Sequence, residues 1–254
     1  VAYWTGIADA SWTAIGLAFG TYINWLIVSK RLRRYSVKAG NAITLPEYFS
    51  NRFHAENKVI LTIAALFILI FFTVYAASCL VTCGKLFSTL FDMPYIPMMI
   101  VGAVFVLIYT LIGGFLAESA SDFMQAIVMI VALCVILAVG TSAAGGFGAV
   151  IDNVHSIPGF LEFFGLATPQ TADGVQQVAA GQPLFGERAP YGMLSVVSMM
   201  AWGLGYFGMP QVLLRFMAIR SEHELTRSRR IATVWVLISL TIAVLIGVIG
   251  RALY

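Results

Sequence analysis

Six stretches of about twenty residues, each dominated by apolar side chains, constrain this chain more than any motif in it: about 11–29, 59–84, 97–117, 123–144, 191–214 and 231–250. An α-helix crosses a hydrocarbon core about 30 Å thick with about 20 mostly apolar residues, so each stretch is long enough to span a bilayer. Long apolar helices also occur in the cores of water-soluble proteins, but such a core must be covered with polar groups. Here only 11% of the 254 residues are charged and 60% are hydrophobic, whereas soluble domains carry about a quarter charged residues. The residues therefore predict an all-α, polytopic membrane protein with six transmembrane helices, the whole of 1–254 forming one transmembrane domain.

Orientation follows from the basic residues, because Lys and Arg in short loops are retained on the cytoplasmic side. Seven of the fifteen fall between Lys30 and Lys58, and five fall between Arg215 and Arg230. Four spans separate these two loops. Because four is even, loops 30–58 and 215–230 are both predicted to be cytoplasmic, and the connection from Gly145 to Pro190 falls outside. In that connection the apolar run Phe160–Leu166 is either a short helix lying on the membrane surface or a packed loop covering an outer vestibule. Thr44-Leu45-Pro46-Glu47 predicts the start of a short cytoplasmic helix with Pro46 at its first position. The net charge of +3 is small, and with the basic residues clustered as topology signals no nucleic-acid partner is expected. The chain opens on Val1 without a start methionine and stops at Tyr254 after an apolar run; it is expected to be an internal part of a longer protein.

The segment most suggestive of function is Gly203-Leu204-Gly205-Tyr206-Phe207-Gly208-Met209-Pro210, in the middle of the fifth span. Proline inside a helix costs about 3 kcal/mol and each glycine about 1 relative to alanine, so an interruption is predicted here. Backbone groups freed at membrane depth are tolerated only where protein or a water-filled cavity satisfies them. Interrupted helices near the bilayer midplane are where secondary transporters bind solutes and ions. A proline kink or close glycine packing between helices is the competing explanation. Trp202 and Tyr206 stand four residues apart and would share one face of a continuous α-helix, offering aromatic walls to a small cavity.

Asp122 is placed at the start of the fourth span, where a carboxylate either complements the helix dipole or meets a cation leaving a central cavity. Tyr75 is a phenol inside a long apolar run, where its hydroxyl needs a partner. Lys85 is expected to snorkel to the interface. Cys79, Cys83 and Cys134 all lie in apolar runs, where a thiol acts as a small hydrophobe. The chain has no Gly-x-Ser-x-Gly elbow and no Gly-Lys-Ser/Thr loop, and its three histidines are in separate loops. No enzymatic, metal or nucleotide chemistry, and no cofactor, is expected.

Thr44-Leu45-Pro46-Glu47-Tyr48-Phe49, Gly113-Gly114-Phe115-Leu116-Ala117 with Asp122 and Gln125, and Trp202-Gly203-Leu204-Gly205-Tyr206-Phe207-Gly208 with Pro210, Arg215, Phe216, Met217 and Ala218 follow one another along the chain. In that order they resemble the solute:sodium symporter family, sodium/proline type. The resemblance implies a partial inverted-repeat core of the leucine-transporter kind, with the fifth span the first helix of the second repeat and broken at its centre. It implies sodium-coupled symport of proline by alternating access in the cell membrane, with sodium as coupling ion. Trp202, Tyr206, Pro210 and Tyr75 would line the solute path, and Asp122 would serve ion coupling. Members commonly carry a tryptophan and a threonine where Ala120 and Ser121 stand, and Gln-Pro-His where Met209-Pro210-Gln211 stands. These departures bear on coupling and on solute choice. The family's principal sodium ligands would lie outside 1–254. The same resemblance leaves open another amino acid, a vitamin or a sugar acid as solute, or a transporter-like sensor domain.

Overall fold

The computed structural model describes residues 1–172, 175–179 and 182–253. In chain order the helices are α1 (Ala2–Thr5), α2 (Ile7–Lys38), α3 (Leu45–Arg52), α4 (Val59–Phe91), α5 (Tyr95–Ala143), α6 (Phe147–His155), α7 (Met193–Met200), α8 (Pro210–Ala218) and α9 (Glu222–Leu253). A 3-10 helix, Ala201–Phe207, joins α7 to α8. The connection between α6 and α7 carries short strands: β1 (Gly165–Leu166), β2 (Thr171–Ala172), β3 (Val175–Gln176), β4 (Val178–Ala179), β5 (Gln182–Pro183) and β6 (Ala189–Pro190). They pair antiparallel, β1 with β6, β2 with β3 and β4 with β5.

Among the described residues, α2, α4, α5 and α9 are each long and apolar enough to cross a membrane, and α7 through α8 adds a bent fifth. The six predicted stretches map onto these five elements because α5 contains two of them, 97–117 and 123–144. At 1.5 Å per residue its 49 residues would measure about 74 Å if straight, more than twice the hydrocarbon core. The backbone leaves helical conformation inside α5 at Gly114, with φ 54° and ψ −144°, a region that suits glycine and strains other residues. The break therefore lies within the predicted third span, and Asp122 is not at a helix start: it sits in helix well past Gly114. The polar run Glu118 to Asp122 reads as a loop but stays helical, since nothing in it is a strong breaker.

The chain divides into two compact units, Val1–Lys38 with Ile130–Tyr254, and Ala39–Met129. In the second unit α3 begins as its sequence indicates. Thr44 is the N-cap and accepts a hydrogen bond from the Glu47 amide at 3.4 Å, while Glu47 Oε2 accepts from the Ile43 amide at 3.0 Å. Pro46 occupies the second helical position, one residue later than predicted. Tyr95 and Met99 pack on Gly84 where α4 and α5 meet, so close that a Cβ there would come within 2.9 Å of the Tyr95 ring.

In the first unit α2 is the organising helix. It pairs antiparallel with α9: Arg34 meets Glu222 at 2.9 Å at one end, and Ala2, just before α2, meets Gly247 near the other. At that second end the long connection folds back as a packed loop. Phe160 is fully buried with Val150, Val154, Ala167, Val248 and Ile249. The Ile7 amide donates to the Phe160 carbonyl at 2.9 Å, and Gly6, at φ 86°, lets the two backbones touch. Phe160–Leu166 is therefore turn and strand rather than a surface helix, because Phe160 is drawn into this core; the helix of the connection is α6. Tyr191 Oη donates to Asp9 Oδ1 at 2.5 Å, and Trp12 Nε1 donates to the Phe163 carbonyl at 2.8 Å, fixing the loop to the first turns of α2.

Candidate functional site

The fifth apolar stretch is interrupted where its glycines and proline fall. α7 ends at Met200, the next seven residues wind as 3-10 helix, Met209 is extended at φ −72° and ψ 111°, and Pro210 opens α8. The two arms are bent by 44°. Pro210 suits that opening position because its missing amide hydrogen would have no intrahelical partner there.

The glycines divide by role. A Cβ on Gly203 would lie 2.0 Å from the Gly16 carbonyl oxygen, one on Gly20 would lie 2.3 Å from the Gly203 oxygen, and one on Gly16 would lie 2.5 Å from Met200 Cα. Gly16 and Gly20 form a Gly-x-x-x-Gly pair on α2 that admits another backbone at contact distance. Gly205 has nothing within 4 Å, and Gly208 only the Gly205 oxygen at 4.0 Å. Gly203 thus serves close packing, while Gly205 and Gly208 meet no packing constraint. The interruption and the close glycine packing are both present in this stretch.

One turn beyond Gly20 on the same face of α2 is Asn24, 1% exposed. Its Nδ2 donates to the Tyr206 carbonyl at 2.8 Å, so a backbone oxygen in the interruption is held by a side chain from the neighbouring helix. Asn24 Oδ1 is buried and has no hydrogen-bond partner. Further along, Trp25 packs edge-on to Phe216 with ring centroids 4.5 Å apart, and Arg33 Nη1 donates to the Met217 carbonyl at 2.7 Å, satisfying the last turn of α8. α2 therefore tracks the whole interrupted element from Met200 to Met217.

Trp202 is 65% exposed, and Tyr206 and Pro210 are half-buried. They do not share the face that a continuous α-helix would give Trp202 and Tyr206. A 3-10 helix advances about 120° per residue, so positions four apart are about a third of a turn out of register. Tyr75 and Asp122 belong to the other unit. Tyr75, in α4, is half-exposed with its ring against Phe72 at 5.8 Å; Asp122, in α5, is half-buried. Next to it Gln125 Nε2 donates to Ser121 Oγ at 2.9 Å.

Gly16, Gly20 and Asn24 were not singled out by the sequence reading, although their spacing of four within an apolar span was a usable signal. Among the described residues, a cavity of about 570 Å³ lies at the end of α9, lined in part by Asp152, Asn153, Phe185 and Arg251. A second, of about 270 Å³, lies between α2 and α9 beside Thr13, Leu17 and Val244. Neither is lined by Trp202, Tyr206 or Pro210. At the charged end of the unit, the hydrogen bond from Arg34 holds the Glu222 carboxyl below its ordinary range, and the same bond raises the Arg34 guanidinium.

Over residues 1–254 the chain matches the Sodium:solute symporter family. It is 37% identical to the "Sodium/proline symporter" of Escherichia coli K12 across 98% of this chain and 45% of that protein. It is 38% identical to the "High-affinity proline transporter PutP" of Bacillus subtilis 168 across 98% of this chain and 48% of that protein. A "Sodium/proline symporter" of Staphylococcus aureus is 37% identical over 98% of the chain and 44% of that protein. The chain spans just under half the length of the relatives it matches. No solved structure matches it significantly.

Proposed function

The chain belongs to the sodium:solute symporter family, and on that premise we propose that the whole protein carries proline into the cell together with sodium by alternating access. The names of the matched relatives support proline as the solute. Family membership and the long apolar helices make it a multi-pass membrane protein whose work is transport rather than bond-breaking. An inward sodium ion gains about 2.3 kcal/mol per 100 mV of membrane potential, which can drive a solute uphill with no cofactor.

The observation that carries the proposal is the interruption at Ala201–Phe207, where the Tyr206 carbonyl accepts a hydrogen bond from Asn24 on the neighbouring helix. Non-helical backbone at membrane depth requires protein or a water-filled cavity around it, and in secondary transporters solute and ion sites are typically built from such breaks. In this reading Trp202, Tyr206 and Pro210 contact the solute. Tyr75 keeps a role in solute handling and Asp122 one in sodium coupling, both supported by their motifs. The protein sits in the cell membrane with loops 30–58 and 215–230 cytoplasmic: the contact of Arg34 with Glu222 supports their sharing one side, and their basic residues support that side being the cytoplasm.

The test is uptake of labelled proline by cells expressing the full-length protein, with and without a sodium gradient. Uptake should require sodium, and Trp202→Ala and Tyr206→Ala should each lower it strongly at normal membrane abundance. Wild-type kinetics in both variants would reject the assignment of these residues; uptake indifferent to sodium would reject the coupling.

A further inference from the structure

Asn24 occupies a position that packing alone does not explain. Between Asp9 and Lys30, α2 carries no charged residue, and Thr13 and Ser29 satisfy their hydroxyls on carbonyls of their own helix, Asp9 O at 2.7 Å and Trp25 O at 2.5 Å. Asn24 instead reaches across to Tyr206. A carbonyl oxygen can only accept, so the amide atom facing it must be the nitrogen, and the atom left over is the acceptor Oδ1. That oxygen is buried and unpartnered, which buried polar atoms seldom are. What it lacks is a donor. One and two turns before Asn24, α2 meets the 3-10 helix through the backbone contact of Gly20 and Gly16 with Gly203, a seam of backbone against backbone.

We propose that Asn24 is a solute-binding residue: its Nδ2 ties α2 to the Tyr206 carbonyl while the site is closed, and its Oδ1 receives the protonated nitrogen of an amino- or imino-acid solute when the seam between α2 and the 3-10 helix opens. The proposal rests on the symporter reading above and adds to it the residue that recognises the solute's nitrogen. A cationic nitrogen suits this oxygen because hydrogen bonds to charged groups are stronger than neutral ones.

The experiment uses the full-length protein, with uptake of labelled proline and its dependence on sodium measured at matched membrane abundance for wild type, Asn24→Ala and Asn24→Asp. Asn24→Ala is expected to raise KM for proline by about tenfold or more, the loss of one hydrogen bond to a charged group. The sodium concentration for half-maximal uptake should stay within about twofold and the maximal rate within about threefold, the pattern of a lost binding contact. Asn24→Asp, which keeps an acceptor oxygen in place of Oδ1, should retain more proline affinity than Asn24→Ala. A purely structural asparagine would instead lower abundance or maximal rate at unchanged KM, and that result overturns the proposal. So does a rise confined to the sodium requirement, or an Asn24→Asp variant no better than Asn24→Ala. If Asn24→Ala fails to insert, Asn24→Ser is read against Asn24→Asp by the same criteria. Wild type without sodium-dependent proline uptake would instead bring down the symporter reading itself.

Discussion

Two glycines two residues apart make opposite predictions. Gly203 faces the Gly16 carbonyl at a distance no Cβ can occupy, whereas Gly205 faces open space. Gly203→Ala has to push α2 and the 3-10 helix apart, and overpacking of that kind costs about 1–3 kcal/mol. Gly205→Ala meets no atom and should change stability by no more than about 0.5 kcal/mol, as for an ordinary surface substitution. Thermal unfolding of the purified full-length protein in detergent separates the two; equal losses would mean that the seam is not the tight contact described. The sequence announced both glycines as helix breakers, because proximity to Pro210 and to each other is local information. It did not announce their division of labour, since Gly203's partner is nearly two hundred residues earlier in the chain. Asn24 escaped notice for the same reason: an amide in an apolar span is unremarkable until the carbonyl opposite is known.

At the scale of elements, what was legible was whatever a helix writes into consecutive residues. The cap of α3 is carried by Thr44 and Glu47, three apart, and was read to within one residue. The break in α5 was not, because Glu118 to Asp122 look like a loop by polarity while the backbone actually turns at Gly114, inside an apolar stretch. Gly114 has a positive φ and no atom within 4 Å of where a Cβ would stand. The cost of Gly114→Ala is therefore backbone strain alone, about 1–3 kcal/mol. Calorimetry or thermal unfolding should register it, and an unchanged midpoint would show that α5 can straighten. The tie between α2 and α9 offers a different handle. Glu222 is held in its charged form by Arg34, so its folded-state pKa lies below the unfolded one. The stabilisation from this pair is then present above the unfolded carboxylate range and lost as pH falls through the folded value. Arg34→Glu and Glu222→Arg should each loosen this end of the unit, with the double swap restoring it, and high salt should erase the difference because both groups are exposed to solvent. Swap variants that fail to rescue one another would leave the ion pair without a role.

For the whole molecule, the basic residues and the count of spans predict together what neither predicts alone. If α5 crosses the bilayer twice, once on each side of Gly114, four crossings lie between the loop around Lys58 and the loop around Arg227, and the two loops share a side. If α5 crosses once, they do not. The fold of the first unit favours the former, since Arg33 and Arg34 at the end of α2 touch Met217 and Glu222 at the approach to α9, and chain segments in direct contact cannot be a bilayer apart. With every native cysteine of the full-length protein replaced by serine, Cys79, Cys83 and Cys134 among them, single cysteines at Lys58, Arg227 and Glu187, all exposed, can be labelled with a membrane-impermeant maleimide in right-side-out and inside-out vesicles. Lys58→Cys and Arg227→Cys should label only in inside-out vesicles and Glu187→Cys only in right-side-out ones. Labelling of Lys58→Cys and Arg227→Cys from opposite sides would remove one crossing from α5, and with it the even count on which the cytoplasmic placement of both loops depends.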